Sequence, residues 1–333
     1  MFPMVEHASK TDCEYVDCQV HTHFSDGQYS PARLITMALD AGVTLLALTD
    51  HDTYDGWSKA NRKSLEEQVT GDIAWHDDGT FAVERDEKAV TVLQGIEFST
   101  QYNGMKIDIL AFPLREEMMA NFTNWFNYLR YCKKTKMKKM IDRLNRSPGV
   151  INGERFDYSG ITYERVEELA SPGPVDKPSF EELIIQEFNL EGVDINSSNE
   201  THLTAPGICS RDQYDRGLPN ELDTEKLITL VKRCGAIPVW AHPREILIRP
   251  TMEHFMEVTN GSMGIELSYK KGLEATHDLV NAYAKSTGCF VSYGSDFHGR
   301  VGDNQTLGVR APKGYTQILY DHLQRIYREQ ENA

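Results

Sequence analysis

Short apolar runs recur along this chain, and several of them end in side chains that bind metals. Over residues 16–23, apolar and polar positions alternate with the period of two that a β-strand shows, which would place His21 and His23 on one face. Further strands are predicted at Thr44–Leu48, Val90–Leu93, Lys106–Phe112, Ala236–Trp240, Met263–Leu267 and Cys289–Tyr293.

Helical patterns separate these strands. Ser30 is a candidate N-cap for a helix over Pro31–Ala41, and Gly42 is a candidate stop. Two more helices are predicted over Thr224–Cys234 and Gly272–Thr287. Because strands and helices alternate, the pattern predicts an α/β fold with a parallel sheet.

The middle of the chain has a different pattern. Residues 116–204 are richer in charge and lack short strand runs, and helices are predicted there over Asn121–Arg146, Gly160–Ala170 and Pro178–Asn189. We therefore predict a catalytic α/β domain over residues 14–115 and 205–330, interrupted by a helical insertion over residues 116–204. Such an insertion could form a lid that confines small substrates.

Composition narrows the class of protein. Of 333 residues, 40% are hydrophobic and 26% charged, which is ordinary for a globular chain. The net charge of −15 argues against a broad basic surface for long nucleic acid, whereas a small phosphorylated substrate stays compatible because bound metal ions reverse the local field. We find no signal peptide, no membrane-spanning run and no CxxC pair, and we expect a cytoplasmic protein of undetermined oligomeric state.

Candidate metal ligands follow most of the predicted strands. Imidazole and carboxylate groups together suit Mn, Fe or Zn, and the carboxylate of Glu97 could bridge two ions. His242 in AHP could be a ligand, a proton donor or an ordinary loop residue. Side chains at the ends of parallel barrel strands meet at one face, so the motifs jointly predict one metal site. The candidate ligands are His21, His23 and Asp26 in HTHFSD, His51 in TDHD, Glu97 in GIE, and Asp296 and His298 in GSDFH.

Together and in this order, HTHFSDG, TDHDT, GIEFS, AHP and GSDFH resemble the motifs of the PHP family, named for polymerase and histidinol phosphatase. The resemblance covers roughly residues 16–113 and 205–311 and is strongest to bacterial stand-alone phosphoesterases with a helical insertion. It implies a distorted (β/α)7 barrel with metals at the C-terminal ends of its strands. One ion would take His21, His23, Glu97 and Asp296, and a neighbouring ion would take Asp26, His51 and His298.

The chain departs from this family at a third metal site. Asp108 and Ser179 stand where histidine is usual, and a serine hydroxyl is a poor ligand for Zn or Fe. We therefore predict two divalent ions (Mn, Fe or Zn, with Mg possible) and a third site that is empty or weak, with His202 as a possible replacement ligand. Lys177 matches a basic position that would contact substrate phosphate, with a solvated loop lysine as the alternative.

The predicted function is hydrolysis of small phosphate monoesters, above all nucleoside mono- or bisphosphates, by a hydroxide that bridges two metal ions. His242 would protonate the leaving oxygen or hold a phosphate oxygen. Histidinol phosphate, cyclic phosphates and oligonucleotide 5′ ends stay open as substrates. Two other classes also stay open: a non-catalytic metal or nucleotide sensor, and an amidohydrolase with a carbamylated lysine, for which we find no suitable lysine at a strand end.

Overall fold

A computed structural model describes residues 13–76, 80–146, 149–151, 154–156, 159–171, 183, 222–243, 248–270, 272–300 and 305–331. These residues form two compact units, one within Met1–Phe122 and Glu221–Ala333 and the other within Thr123–Asn220. Every described candidate site residue lies in the first unit. The predicted domain borders near residues 115 and 205 stay a prediction, while the mixed α/β class is confirmed.

Fourteen strands lie among the described residues. They are β1 Cys13–Val20, β2 Val43–Leu48, β3 Asp72–Trp75, β4 Thr80–Arg85, β5 Lys88–Gln94, β6 Ile96–Tyr102, β7 Met105–Phe112, β8 Gly149–Ile151, β9 Glu154–Phe156, β10 Leu222–Asp223, β11 Ile237–Trp240, β12 Gly264–Ser268, β13 Phe290–Gly294 and β14 Val309–Pro312. All the predicted strands are present, with ends that differ from the prediction by at most three residues, whereas the sequence analysis missed β3, β4, β6, β8, β9, β10 and β14.

The helices among the described residues are α1 Pro31–Ala41, α2 Lys59–Gln68, α3 Thr123–Arg146, α4 Tyr163–Ala170, α5 Thr224–Arg233, α6 Ile248–Val258, α7 His277–Thr287 and α8 Tyr315–Glu331. Short 3₁₀ turns span Asp55–Trp57, Glu116–Asn121 and Glu274–Thr276. The predicted caps of α1 are confirmed: the Ser30 hydroxyl accepts a hydrogen bond from the Arg33 amide, and Gly42 ends the helix with φ 75°. No helix in the described ranges is both long and apolar enough to cross a membrane.

Two six-stranded sheets make up most of the first unit. Their strand orders are β14-β1-β2-β5-β4-β3 and β10-β6-β7-β11-β12-β13. The pairs β1–β2, β2–β5, β11–β12 and β12–β13 are parallel, and the helices between them cover the sheets. Fully buried apolar side chains on both sheets, among them Leu46, Val92, Ile109 and Val239, form the core.

The prediction of a purely parallel sheet is wrong at β7. This strand pairs antiparallel with both β6 and β11. The cause is the two-residue turn Asn103-Gly104, whose φ values of 49° and 78° are those of a tight hairpin turn. A similar turn at Asp86-Glu87, with φ values of 50° and 63°, reverses the chain between β4 and β5.

Isolated bridges connect residues of the two sheets. Val20 at the end of β1 pairs with Phe297, which follows β13, and His51 after β2 pairs with Glu97 in β6. These bridges bring the ends of strands from both sheets next to one another. Whether the sheets close into the predicted (β/α)7 barrel stays a prediction.

The second unit contains α3 and α4, close to where helices were predicted. It also contains a short antiparallel pair, β8 with β9, so the predicted insertion is not wholly helical. The predicted helix over Pro178–Asn189 lies outside the described residues except for Leu183.

Candidate metal centre

The candidate ligands come from separate strands and lie near the strand ends. His21 follows β1, His51 follows β2, and Asp296 follows β13. Glu97 differs from the prediction, because it is the second residue of β6 rather than the end of a strand. Gly95 separates β5 from β6 at a place where a Cβ atom would lie 2.9 Å from Thr49 Cγ2, so the close approach there needs glycine.

Three groups of side chains each offer ligand atoms that lie within 4.8 Å of one another. The central group is His21, Glu97 and Asp296; the outer group is His21, Asp26, His51 and His298; the third group is Glu97, Asp108 and His242. His21 belongs to two groups and Glu97 to two, so the three groups form one continuous cluster.

The central group is completely buried. His21 Nε2 lies 3.0 Å from Glu97 Oε2 and 3.1 Å from Asp296 Oδ1. Burial alone would lower the pKa of His21, but its hydrogen bonds to Asp296 and Glu97 raise that pKa well above the usual value. Burial opposes ionisation of Glu97, yet the neighbouring histidines hold its pKa well below the ordinary range. The central group therefore favours ionised carboxylates.

The outer group surrounds Asp26 with imidazole rings. His298 Nε2 lies 3.2 Å from Asp26 Oδ1, and His21 Nδ1 lies 3.6 Å from the same oxygen. The ring of His21 stacks on those of His298 and His51, with centroid separations of 4.2 and 4.5 Å. Burial lowers the pKa of His51, which favours the neutral imidazole that a metal requires.

The third group brings His242 to the edge of the cluster. His242 Nε2 lies 2.9 Å from Glu97 Oε1 and 3.9 Å from Asp108 Oδ2. Burial opposes the charged imidazole, but the hydrogen bond to Glu97 raises the pKa of His242 to about 9. The His242 amide donates a hydrogen bond of 2.7 Å to the buried carboxylate of Glu266. Ser179, Lys177 and His202 lie outside the described residues.

His23 does not join any of these three groups, which cover only the described residues. Its ring meets Phe24 edge-on at 4.5 Å, and burial lowers its pKa. The pairing of His21 and His23 assumed that the strand continued to residue 23, but β1 ends at Val20 and the period of two ends with it. The role of His23 as a ligand stays a prediction.

The donor atoms fit a divalent metal. His21 Nδ1 and His51 Nδ1 are buried and make no hydrogen bond to the described residues. Unpaired buried polar atoms are costly, and a cation among carboxylates and imidazoles would remove that cost. Mixed nitrogen and oxygen donors suit Mn, Fe or Zn.

Two buried carboxylates hold the loops that carry the ligands. Asp50 accepts hydrogen bonds from the Thr22 amide, the Thr22 hydroxyl and the Ser25 hydroxyl at 2.8, 2.7 and 2.5 Å. Asp17 accepts from the Ser295 amide and hydroxyl at 2.9 and 2.7 Å. The first set fixes the loop after β1, and the second fixes the loop after β13.

The backbone is strained around the cluster. Asp52, His242 and Asp296 have φ values of 54°, 31° and 58°, in the left-handed region that non-glycine residues seldom adopt. Such conformations persist where surrounding contacts enforce them, and they concentrate at functional sites.

Charged residues missed by the sequence analysis line the cluster. Lys270 Nζ forms an ion pair with Asp296 Oδ2, and Arg300 lies 3.2 Å from Asp26 Oδ2. The buried Glu266 lies within β12, and burial raises its pKa to about 8. The sequence analysis did not single out Lys270, which follows β12 by two residues. Applying the rule used for the histidines to Met263–Leu267 would have found it.

The chain matches a known protein family and resembles several known proteins. A family model described as the PHP domain matches residues 17–192. The 5′-3′ exoribonuclease Rnm of Escherichia coli is 23% identical over 296 residues, covering 85% of this chain and 84% of that protein. The phosphoribosyl 1,2-cyclic phosphate 1,2-diphosphodiesterase of Eggerthella lenta is 23% identical over 301 residues, covering 89% and 98%.

Solved structures share the fold. A candidate metal-dependent phosphoesterase from Bifidobacterium adolescentis superposes with a TM-score of 0.66 at 20% identity, covering 92% of this chain and 96% of that one. An amidohydrolase from Chromobacterium violaceum, solved with sulfate and without metal, gives a TM-score of 0.60 at 18% identity with the same coverage. At these identities the likeness concerns the fold alone.

Proposed function

This chain belongs to the PHP domain family, and on that premise we propose that it hydrolyses small phosphate monoesters, nucleotides above all, at the metal centre built around His21. As a family member it is a metal-dependent phosphoric ester hydrolase. One observation carries the proposal: His21, Glu97 and Asp296 come from three separate strands and meet within 3.1 Å of the His21 ring.

We propose two principal ions. His21 is assigned to the central group, because its Nε2 is the nitrogen that faces both carboxylates and a neutral imidazole offers one lone pair. The sequence predicts His23 as a further ligand of this ion, and in that role its ring would have to leave its contact with Phe24. The second ion would bind Asp26, His51 and His298. The third group would hold an ion more weakly, because Asp108 stands where the family usually has histidine and the ammonium of Lys106 already pairs with Asp108 Oδ1 at 3.2 Å.

When bound, the ions would stabilise charge on the phosphoryl oxygens and provide a nucleophile at neutral pH. The protein's own groups set the geometry around that chemistry. Gln19 Nε2 donates a hydrogen bond of 2.8 Å to Glu97 Oε2 and so orients the carboxylate shared by two groups. Asp17 fixes the loop that presents Asp296.

His242 would protonate the leaving oxygen. Its pKa of about 9 keeps the imidazole protonated at neutral pH in the metal-free protein, and its largely buried ring, with the side chain 18% exposed, lies at the edge of the cluster. The alternative role of His242, as a metal ligand in the third group, leads to a different expected result. As a proton donor, His242→Ala keeps the metal content and loses rate; as a ligand, the same change lowers the metal stoichiometry by one.

The substrate proposal is a ribose phosphate of low molecular weight. The two named relatives act on RNA and on a phosphoribosyl cyclic phosphate, both of which contain ribose esterified with phosphate. The net charge of −15 disfavours a long polyanion that must cover a large surface. A nucleoside monophosphate or bisphosphate combines the shared chemistry with small size.

A second candidate is hydrolysis at the 5′ end of a short oligonucleotide. The observation that favours it is the match to an exoribonuclease over 85% of this chain. Only the end of such a substrate needs to enter the centre, so the acidic surface opposes it less than it opposes long RNA.

We also propose that the two sheets close into the distorted (β/α)7 barrel. The bridges Val20–Phe297 and His51–Glu97 support closure, because each pairs residues from different sheets. The five described cysteines are free thiols, which supports a location in the reducing cytoplasm.

The decisive experiment is a phosphate-release screen on metal-analysed protein, with nucleoside mono- and bisphosphates, cyclic phosphates and 5′-phosphorylated oligonucleotides of increasing length. We expect turnover of the mononucleotides, and His21→Ala should lose metal and turnover together. Turnover that rises with oligonucleotide length would select the second candidate. Metal-replete protein that hydrolyses none of these esters would contradict the proposed function.

A further inference from the structure

Lys270 places a positive charge against the metal centre, and the mechanism above gives it no role. It lies two residues beyond β12, and its ammonium pairs with Asp296 Oδ2. The Lys270 side chain is 42% exposed, whereas that of Asp296 is 2% exposed. The lysine therefore reaches from the solvent-facing rim to a buried carboxylate of the central group.

The charges around Lys270 keep it ionised. Burial works against the ammonium, but Asp296, Glu97 and Asp108 raise its pKa above the ordinary value. These carboxylates belong to the central and third groups, so the ammonium faces both. In the metal-free protein it is a counterion for the acids that the metals would use.

A divalent ion in the central group changes that balance. Such an ion would neutralise the charge of Asp296 and repel the ammonium, because both cations would lie next to the same carboxylate. The lysine stem has four rotatable carbons and an exposed side, so the ammonium can turn toward the rim. Any anion bound to the central ion from the solvent side would meet it there.

We propose that Lys270 forms an anion subsite. Its ammonium leaves Asp296 when a divalent cation enters the central group, and the ammonium then binds a phosphoryl oxygen of the ester. The inference rests on the proposed function and adds a substrate contact to it. Compact, mobile ammonium groups bind phosphate as point charges and need no fixed fork geometry.

Other cations beside the cluster are less suited to this role. Arg300 bonds the main-chain oxygen of Asp26 as well as its carboxylate, which holds the guanidinium in place. Lys106 pairs with Asp108 Oδ1 at 3.2 Å, beside the third group. Among the lysines and arginines in the described part of the chain, Lys270 is the one whose side chain pairs with an acid of the central group.

The test separates metal binding from anion binding. The variants are Lys270→Met, Lys270→Arg and, as a control with the same change of net charge, Lys63→Met on the exposed side of α2. Titration calorimetry measures Mn²⁺ binding to each metal-free protein and then inorganic phosphate binding to each Mn²⁺-saturated protein. Circular dichroism checks that each variant is folded.

We expect Lys270→Met to bind Mn²⁺ at least as tightly as the wild type, because a competing cation is gone. The same variant should bind phosphate about tenfold or more weakly, the usual effect of removing a charge-assisted hydrogen bond. Lys270→Arg should stay within about threefold of the wild type for phosphate, since it keeps the charge. Lys63→Met should change neither constant.

The opposite results would overturn the inference. Parallel losses of Mn²⁺ and phosphate affinity in Lys270→Met, with Lys270→Arg behaving alike, would show a structural role. Unchanged phosphate affinity in Lys270→Met, or no phosphate binding by the wild type, would equally exclude the subsite. These readouts need no turnover. If the protein bound phosphate through Lys270 but hydrolysed no ester, the proposed function would be contradicted while the anion subsite would stand.

Discussion

Replacing Asp50 should destabilise the loop after β1 and weaken metal binding. Asp50 is 5% exposed and accepts three hydrogen bonds from Thr22 and Ser25, in the loop that carries His23 and Asp26. In Asp50→Ala the buried Thr22 amide loses its acceptor, and two hydroxyls lose theirs. The unpaired buried amide costs about 1–3 kcal/mol and each of the two hydroxyl bonds to the charged acceptor about 1.5 kcal/mol, giving roughly 4–6 kcal/mol in all.

Asp50→Asn is the matched control. One orientation of the amide keeps its oxygen toward the Thr22 amide and Ser25 hydroxyl and its nitrogen toward the Thr22 hydroxyl, so the three contacts survive without the charge. We expect a loss of about 1 kcal/mol. Substitution of the exposed Asp278 by alanine should change the free energy of unfolding by less than about 0.5 kcal/mol.

Urea unfolding of the metal-free variants measures stability, and Mn²⁺ titration measures the centre. We expect Asp50→Ala to lose roughly 10- to 100-fold in Mn²⁺ affinity, as is usual when a partner of the ligand shell is removed. If Asp50→Ala and Asp50→Asn were equally stable and bound Mn²⁺ equally, the loop would not depend on these bonds and the argument would be refuted.

Three further predictions test other parts of the site. His21→Ala should lose Mn²⁺ and turnover together by metal analysis and phosphate release, and a variant that kept full metal content would contradict the central group. Gly294→Ala should cost about 1–3 kcal/mol in urea unfolding, because the added Cβ would lie 2.2 Å from Glu266 Oε1, while Gly160→Ala, with no atom within 4 Å, should cost little. Metal-free protein should lose stability as pH rises from 6.5 through about 9, because His242 is charged in both states below 6.5 and loses its pair with Glu97 above about 9. Unfolding midpoints across this range should fall less steeply in His242→Gln, and parallel curves would exclude the pair as the cause.

Local patterns in the sequence predicted seven of the strands, the helix α1 and most residues of the cluster. The caps of α1 follow from Ser30 and Gly42, and motif ends located His21, Glu97 and Asp296 because strand ends collect at one place. The antiparallel direction of β7 was also encoded, in the turn Asn103-Gly104, but apolar runs alone carry no strand direction.

Features that depend on tertiary neighbours could not be obtained this way. Lys270 contacts Asp296, and Glu266 contacts His242. In each pair the two residues lie about 25 positions apart along the chain and belong to different strands or the loops after them. His23 shows the converse, since its predicted partnership with His21 assumed a strand that ends at Val20. Spacing fixes which face a side chain takes only while the element continues.

The left-handed backbone at Asp52, His242 and Asp296 has a consequence for mutational tolerance. Glycine adopts this conformation without the penalty of about 1 kcal/mol or more that other residues bear. A saturation library selected only for abundance should enrich glycine at these three positions, while the same library selected for turnover should reject it. Comparing the two selections would outline the active centre, and equal preferences in both would show that these side chains serve the fold.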